Sequence, residues 1–188
     1  MNDLPVVVLV APGFEEVELT APVDILRRLG IEVVLAGVQG RMVTGAHGLT
    51  LQADVLLVDV EPSAYRGVIL PGGAAAWTLR DTAAVRALVR DMHREGKMVA
   101  AICAAPMVLA AAGILGDSCV TSYPAEDVRK SLEAARAVVE DPVVVDGHII
   151  TGRGPGAAMA FGYALGEFLG CADAVPRLKE DMCYPSAG

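Results

Sequence analysis

The sequence predicts an α/β fold, an open and mostly parallel sheet with helices on both faces. Three observations carry that reading. Apolar runs without alternation recur along the chain, Leu4 to Ala11, Ile31 to Val38 and Val99 to Ile102 among them, as strands covered on both faces require. Amphipathic or alanine-rich stretches separate these runs, so strand and helix alternate. Glycine-rich turns follow several of the strands, and in open parallel sheets ligands bind beyond the carboxyl ends of the strands.

Bulk composition agrees. With 188 residues, 54% hydrophobic and 20% charged, the chain is expected to form a single domain over 1–188 with a substantial core, and disorder is excluded. A net charge of −8 argues against a general nucleic-acid binder, and no basic stripe suits an anionic membrane. Met98 to Gly116 carries no charge, but Pro106 interrupts it and alanines fill it, so it reads as strand, turn and helix and not as a membrane span. The N-terminal Met-Asn-Asp-Leu-Pro lacks the basic start of a secretory signal. Cys103, Cys119, Cys171 and Cys183 show no C-x-x-C spacing. Neither a disulfide framework nor a zinc site is expected, and a reducing cytoplasm is the expected compartment.

In chain order, Leu4 to Ala11 is the first strand, ended by Pro12-Gly13. Leu19 to Leu29 has helical spacing at Val23, Leu26 and Leu29, with Pro22 predicting a kink or a restart capped by Thr20. Ile31 to Val38 completes a right-handed βαβ unit. Gly40 to Asp54 alternates weakly between glycines and reads as a small hairpin outside the sheet. Val55 to Val58 is either a short strand or a packed connection. Tyr65 to Leu70 is a strand ending on Pro71-Gly72-Gly73, and Thr82 to Arg94 is an amphipathic helix with Val85, Leu88, Val89 and Met92 on one face. Further on, Ser118 to Thr121 reads as a strand and Ala125 to Arg136 as a helix. Val138 to Glu140 and Val143 to Val145 are short strands, the second joined to His148–Thr151 by an Asp146-Gly147 turn. Ala157 to Leu169 is a closely packed helix, and Val175 to Asp181 a short terminal one.

The stretch Lys97 to Pro106 organises the rest. Val99 to Ile102 is a short buried strand, Pro106 is pre-set for the first turn of a helix, and Gly113 supplies a stop. Cys103 then sits on a tight strand-to-helix turn, the geometry of a nucleophile elbow with a thiol in place of serine. A helix N-terminus stabilises a thiolate, so a depressed pKa is expected; the competing reading is a buried structural cysteine. Gly13 to Glu18, Gly72-Gly73 and Cys103 all fall at carboxyl ends of predicted strands, which favours the reactive thiol.

Ala-Pro-Gly-Phe-Glu-Glu-Val-Glu at 11–18, Leu-Pro-Gly-Gly at 70–73, Ala-Ala-Ile-Cys-Ala-Ala-Pro at 100–106 and Gly-Arg-Gly-Pro-Gly at 152–156 together resemble the ThiJ/PfpI superfamily, most closely its parkinsonism-associated branch. The motifs run in the right order across nearly the whole chain. The resemblance implies a flavodoxin-like three-layer sandwich, a homodimer, and Cys103 as a reactive, oxidisable residue. It implies a protonated Glu18 hydrogen-bonded to the sulfur, which makes physical sense because burial raises a carboxyl pKa and a neutral acid donates. Gly72, Gly73 and Ala104 would present N–H groups as an oxyanion or sulfinate cradle. Arg153, with Pro155, matches a pocket rim near the dimer interface, a solvated loop arginine being the alternative. The Gly152-Arg153-Gly154-Pro155-Gly156 spacing is not a dinucleotide fingerprint.

Departures limit the chemistry. Peptidase relatives carry a histidine directly after the cysteine, where this chain has Ala104. The branch often has a histidine before a proline where Tyr123-Pro124 stands here, and tyrosine is no base near neutral pH. His47 lies where relatives place a pocket arginine from the partner subunit, so it either enters the site across a dimer or is simply exposed. His93 and His148 read as surface or strand-start residues without partners. By resemblance, the expected activity is that of a cofactor-independent and metal-free glyoxalase or deglycase acting on methylglyoxal or a related small dicarbonyl. The alternative is a redox-sensing or chaperone-like dimer switched by oxidation of Cys103. Hydrolysis of a small amide or ester is disfavoured by the missing base.

Overall fold

The computed structural model describes residues 4–185. Its centre is a seven-stranded sheet. The strands are β1 (Val6–Val10), β2 (Val33–Gly37), β5 (Val55–Leu56), β6 (Gly67–Leu70), β7 (Met98–Ile102), β10 (Val143–Asp146) and β11 (Ile149–Gly152). Across the sheet they stand in the order β10-β11-β7-β6-β1-β2-β5. All neighbours pair in parallel except the β10–β11 hairpin. The uninterrupted apolar strands β1 and β7 lie at the middle and are buried at every residue, as a sheet covered on both faces demands.

Two helix groups cover it. Helix α1 (Glu16–Arg28) packs chiefly against α6 (Ala158–Gly166). Gly162 makes their approach possible, because a Cβ there would stand 2.8 Å from Ile25 Cδ1 and 3.0 Å from Pro22 Cα. The small residues of α6 thus serve contact with α1 as well as with the sheet. The other group is α2 (Ala75–Asp81), α3 (Ala83–Arg94), α4 (Pro106–Ala111) and α5 (Glu126–Ser131), packed in succession. A terminal helix α7 spans Val175–Asp181. The hairpin of β3 (Met42–Thr44) and β4 (Thr50–Gln52) stands outside the main sheet, as expected.

Several expectations are corrected. Helix α1 runs through Pro22 without a restart, and Thr20 is no cap: its hydroxyl donates to the Glu16 carbonyl one turn back, at 2.7 Å. Helix α5 is half the predicted length. Strand β8 (Cys119–Thr121) leaves the main sheet to pair in parallel with β9 (Ala137–Val139). His93 and His148 do have partners, each other, with Nδ1 and Nε2 2.9 Å apart across α3 and the start of β11.

Candidate active site

The parallel register brings the carboxyl ends of β1, β6, β7 and β11 to one edge, and four loops interlock there. Gly13, at φ +80, donates its N–H to the Thr44 carbonyl at 2.8 Å. Phe14 bridges to Gly73, and the Glu15 N–H donates to the Gly72 carbonyl at 3.2 Å. Only glycine fits at 73: its φ is +75, and a Cβ would lie 2.5 Å from the Gly13 carbonyl oxygen. These contacts fix the start of α1 against the loop that follows β6.

Cys103 occupies the turn after β7 with φ +65, a left-handed conformation unusual for a residue with a side chain. Its backbone is pinned on both sides. The Cys103 N–H donates to the Gly152 carbonyl at 2.9 Å, and the Cys103 carbonyl accepts from Tyr123 N–H at 2.8 Å. Backbone N–H groups of Gly73 and Ala104 lie near enough to the sulfur to favour its thiolate. The side chain is 8% exposed and opens into a cavity of about 260 Å³ walled by Glu15, Trp77, Tyr123 and Pro155.

Glu18 lies beneath this turn, fully buried in α1. Its Oε2 accepts the Gly72 N–H at 2.9 Å, and the carboxyl interacts with the Cys103 thiol, although Oε1 makes no hydrogen bond of regular geometry. Burial drives the Glu18 pKa up to about 7, against the opposing pull of the thiol and the Gly72 N–H. The expected depression of the thiol is reversed. Burial pushes Cys103 up to about 12, the Glu18 charge and hydrogen bond add to it, and the N–H groups of Gly73 and Ala104 pull the other way. Helix α4 begins three residues further on and spans only one and a half turns, too little to offset burial. The two protons are coupled, because charge on either group disfavours charge on the other. A thiolate at Cys103 therefore requires its proton to sit on Glu18.

The remaining candidates divide. Gly73 and Ala104 sit at the sulfur, whereas the Gly72 N–H serves Glu18. Gly72 must still be glycine, since a Cβ would stand 2.5 Å from Glu18 Oε2 and 2.6 Å from Cys103 Cβ. Tyr123 walls the cavity and is half exposed. Arg153 is not in that wall: it ion-pairs with Glu140 and donates to the Glu140 carbonyl at 2.6 Å. His47 stays outside the Cys103 cavity of its own chain. Its N–H donates to Glu16 Oε1 at 2.7 Å and its Nδ1 lies 2.9 Å from Glu16 Oε2. The structure adds Trp77 to the cavity wall and brings Glu15 into it from the Gly13–Glu18 turn. The signals were there: Trp77 is the only tryptophan and follows the Gly72-Gly73 turn by one helical turn.

An interlocked cysteine elbow at the carboxyl edge of a doubly covered parallel sheet defines a flavodoxin-like α/β protein of the thiol-elbow kind. More narrowly, the chain belongs to the DJ-1/PfpI family, which matches residues 5–167. It is 35% identical over 178 residues to the dj-1beta protein of Drosophila melanogaster, covering 93% of this chain and 94% of that one. The crystal structure of Drosophila melanogaster DJ-1beta superposes with a TM-score of 0.91 at 33% identity, over 97% of this chain and 99% of that one. A deglycase of Thermococcus kodakarensis is 35% identical over 162 residues, 84% of this chain and 95% of that protein. A glutathione-independent glyoxalase of Caenorhabditis elegans is 31% identical over 169 residues, 90% of each chain. Among the described residues no helix is long and apolar enough to cross a membrane.

Proposed function

We propose that the chain is a cofactor-independent glyoxalase with deglycase-like activity, converting methylglyoxal or a related small dicarbonyl into the 2-hydroxy acid. The observation that carries this reading is the pairing of Cys103 with a buried Glu18 whose pKa stands at about 7, where it both accepts and returns a proton. Relatives named deglycase and glyoxalase support the same reaction class.

The sulfur adds to the aldehyde carbon while the thiol proton passes to Glu18 and from there to the new alkoxide oxygen. A hemithioacetal results, and Glu18 is again a carboxylate. Glu18 then takes the proton from C1. The C2 oxygen of the enediolate is held by the N–H groups of Gly73 and Ala104 and takes the proton of the C1 hydroxyl, and Glu18 returns its own proton to C2. C1 is oxidised as C2 is reduced, so no external electron acceptor is needed. The product is a lactoyl thioester on Cys103, which water cleaves to lactate and the free thiol. In an adduct of the dicarbonyl with an amine, the sulfur displaces the amine and joins the same path. The active form is taken to be a homodimer, as the resemblance to the family implies, and the exposed apolar Val17 of α1 and Leu49 of the hairpin are available to such a contact.

The test is lactate formation from methylglyoxal without glutathione, by the wild type and by Cys103→Ser at equal concentration. Turnover in the wild type that is lost in the variant is expected. Turnover surviving in Cys103→Ser overturns the assignment of the chemistry. No turnover in either, with a thiol that oxidises readily under peroxide, selects the redox-sensing dimer instead.

A further inference from the structure

A second and larger cavity, of about 400 Å³, adjoins the Cys103 cavity and shares two wall residues with it, Tyr123 and Pro155. Its other walls are Pro124, Pro142, Ala157 and the backbone of Gly154 and Gly156, with Glu140 and Arg153 at its edge. Three prolines fix this surface before anything binds, so little ordering is lost on occupation. The Tyr123 ring rests on Gly154, where a Cβ would lie 3.5 Å from Tyr123 Cδ2. The charges at the edge are paired with one another, two guanidiniums on one carboxylate. Arg153 spends its guanidinium on the Glu140 carbonyl and carboxylate, Arg129 holds the same carboxylate, and the Arg153 N–H donates to the Pro142 carbonyl at 2.9 Å. Arg153 thus builds the wall that the β9–β10 loop contributes, its guanidinium turned to Glu140.

Methylglyoxal has only a methyl group beyond its two carbonyls, too small a molecule to fill both cavities when C1 is at the sulfur. We infer that the second cavity is a subsite for an uncharged alkyl tail, and that the preferred substrates are longer-chain 2-oxoaldehydes whose carbonyl end sits at Cys103. This rests on the glyoxalase reading for its chemistry and on the shared walls for its geometry. Each methylene that enters the subsite leaves water for an apolar wall, about a fourfold gain in kcat/KM.

The experiment compares kcat/KM for methylglyoxal, 2-oxopentanal, 2-oxohexanal and 4,5-dioxopentanoate in the wild type and in Gly156→Leu. Gly156 lines the second cavity and not the Cys103 cavity, and a Cβ there meets no atom within 4 Å, so a leucine is placed without a clash to narrow the subsite. The wild type is expected to favour 2-oxohexanal over methylglyoxal at least tenfold. Gly156→Leu is expected to bring that ratio to near unity with methylglyoxal turnover unchanged. A flat series in the wild type, or 4,5-dioxopentanoate outperforming 2-oxohexanal, overturns the apolar subsite while leaving the glyoxalase reading intact. If no 2-oxoaldehyde is turned over, the glyoxalase reading fails, and the subsite is read instead from alkylation of Cys103. N-butyl iodoacetamide then reacts faster than iodoacetamide in the wild type and loses that advantage in Gly156→Leu; equal rates in the wild type overturn the subsite.

Discussion

Glu16 and Glu18 are two residues apart in the first turn of α1, both buried, and the protein treats them in opposite ways. Their side chains leave the helix about 200° apart. Glu16 turns outward to the β3–β4 hairpin, where it accepts the N–H groups of His47 and Leu49 and the His47 ring. Burial alone would raise its pKa, but the His47 ring and these N–H groups hold the carboxyl down to about 2. Glu18 turns inward to Cys103, receives a single N–H from Gly72, and is pushed up to about 7 by burial. Burial by itself therefore assigns no role to a carboxylate. The number of donors aimed at it decides whether it is a permanent anion that fastens a loop or an acid poised to exchange a proton.

The largest effect that separates the pair is catalytic. Glu18→Gln keeps the shape and the Gly72 hydrogen bond but cannot take the C1 proton, so methylglyoxal turnover should fall by ~10²–10⁴-fold, the usual worth of a positioned general base. Glu16→Gln retains acceptors for the hairpin N–H groups and does not touch the thiol. Its turnover should stay within about tenfold of wild type, below the range that loss of direct proton transfer produces. Rates of lactate formation at one pH decide it. Equal losses in both variants would mean that Glu18 acts on the fold and not on the reaction.

How much of this contrast was legible in the sequence is instructive. Val6–Val10 and Met98–Ile102 announce central strands by composition alone, and the glycines after the β6 strand announce a close approach. The elbow at Cys103 followed from a strand, two alanines and Pro106, all local features. Glu18 was reachable only through resemblance, because an acid in the first turn of a helix ordinarily faces solvent. The donors on Glu16 come from 31 and 33 residues away, and the His93–His148 contact spans 55. No local pattern encodes such contacts. Helix α2 gives no local signal because Ala75–Asp81 is too short to show a period, and the Arg153–Glu140 pair gives none because the two stand 13 residues apart on different connections.

Stability against pH sharpens the comparison with an effect of middle size, since the two groups have opposite linkage signs. Glu16 is held below its ordinary 4.5 at about 2, so its contribution is complete above 4.5 and is lost as pH falls toward 2. Glu18 is raised from 4.5 to about 7, so its contribution is complete below 4.5 and is lost as pH rises through 7. Denaturant midpoints should therefore show Glu18→Gln gaining on the wild type between about pH 5 and about pH 8. Glu16→Gln should trail the wild type at neutral pH and approach it in acid. Parallel curves for the two variants would contradict the opposed environments.

The smallest effect concerns His47, which tests whether the outer carboxylate needs its cationic partner. The His47 pKa is raised above 6.5, chiefly by the hydrogen bond to Glu16 and then by the charges of Glu15 and Glu16. A raised value means that the pairing stabilises the fold fully below about 6.5 and fades as pH climbs through the folded-state pKa. The imidazole is 71% exposed, so salt screens the attraction. His47→Ala removes the ring but leaves the backbone N–H on Glu16 Oε1, and the hairpin tip keeps its Ala46 N–H to the Phe14 carbonyl at 2.9 Å. Amide exchange at residues 45–49 should quicken only slightly in His47→Ala near about pH 6 and low salt, and match wild type at about pH 9 or in high salt. A large acceleration that persists in alkali would show that the ring holds the loop by packing, and that the charge on Glu16 is secondary to its shape.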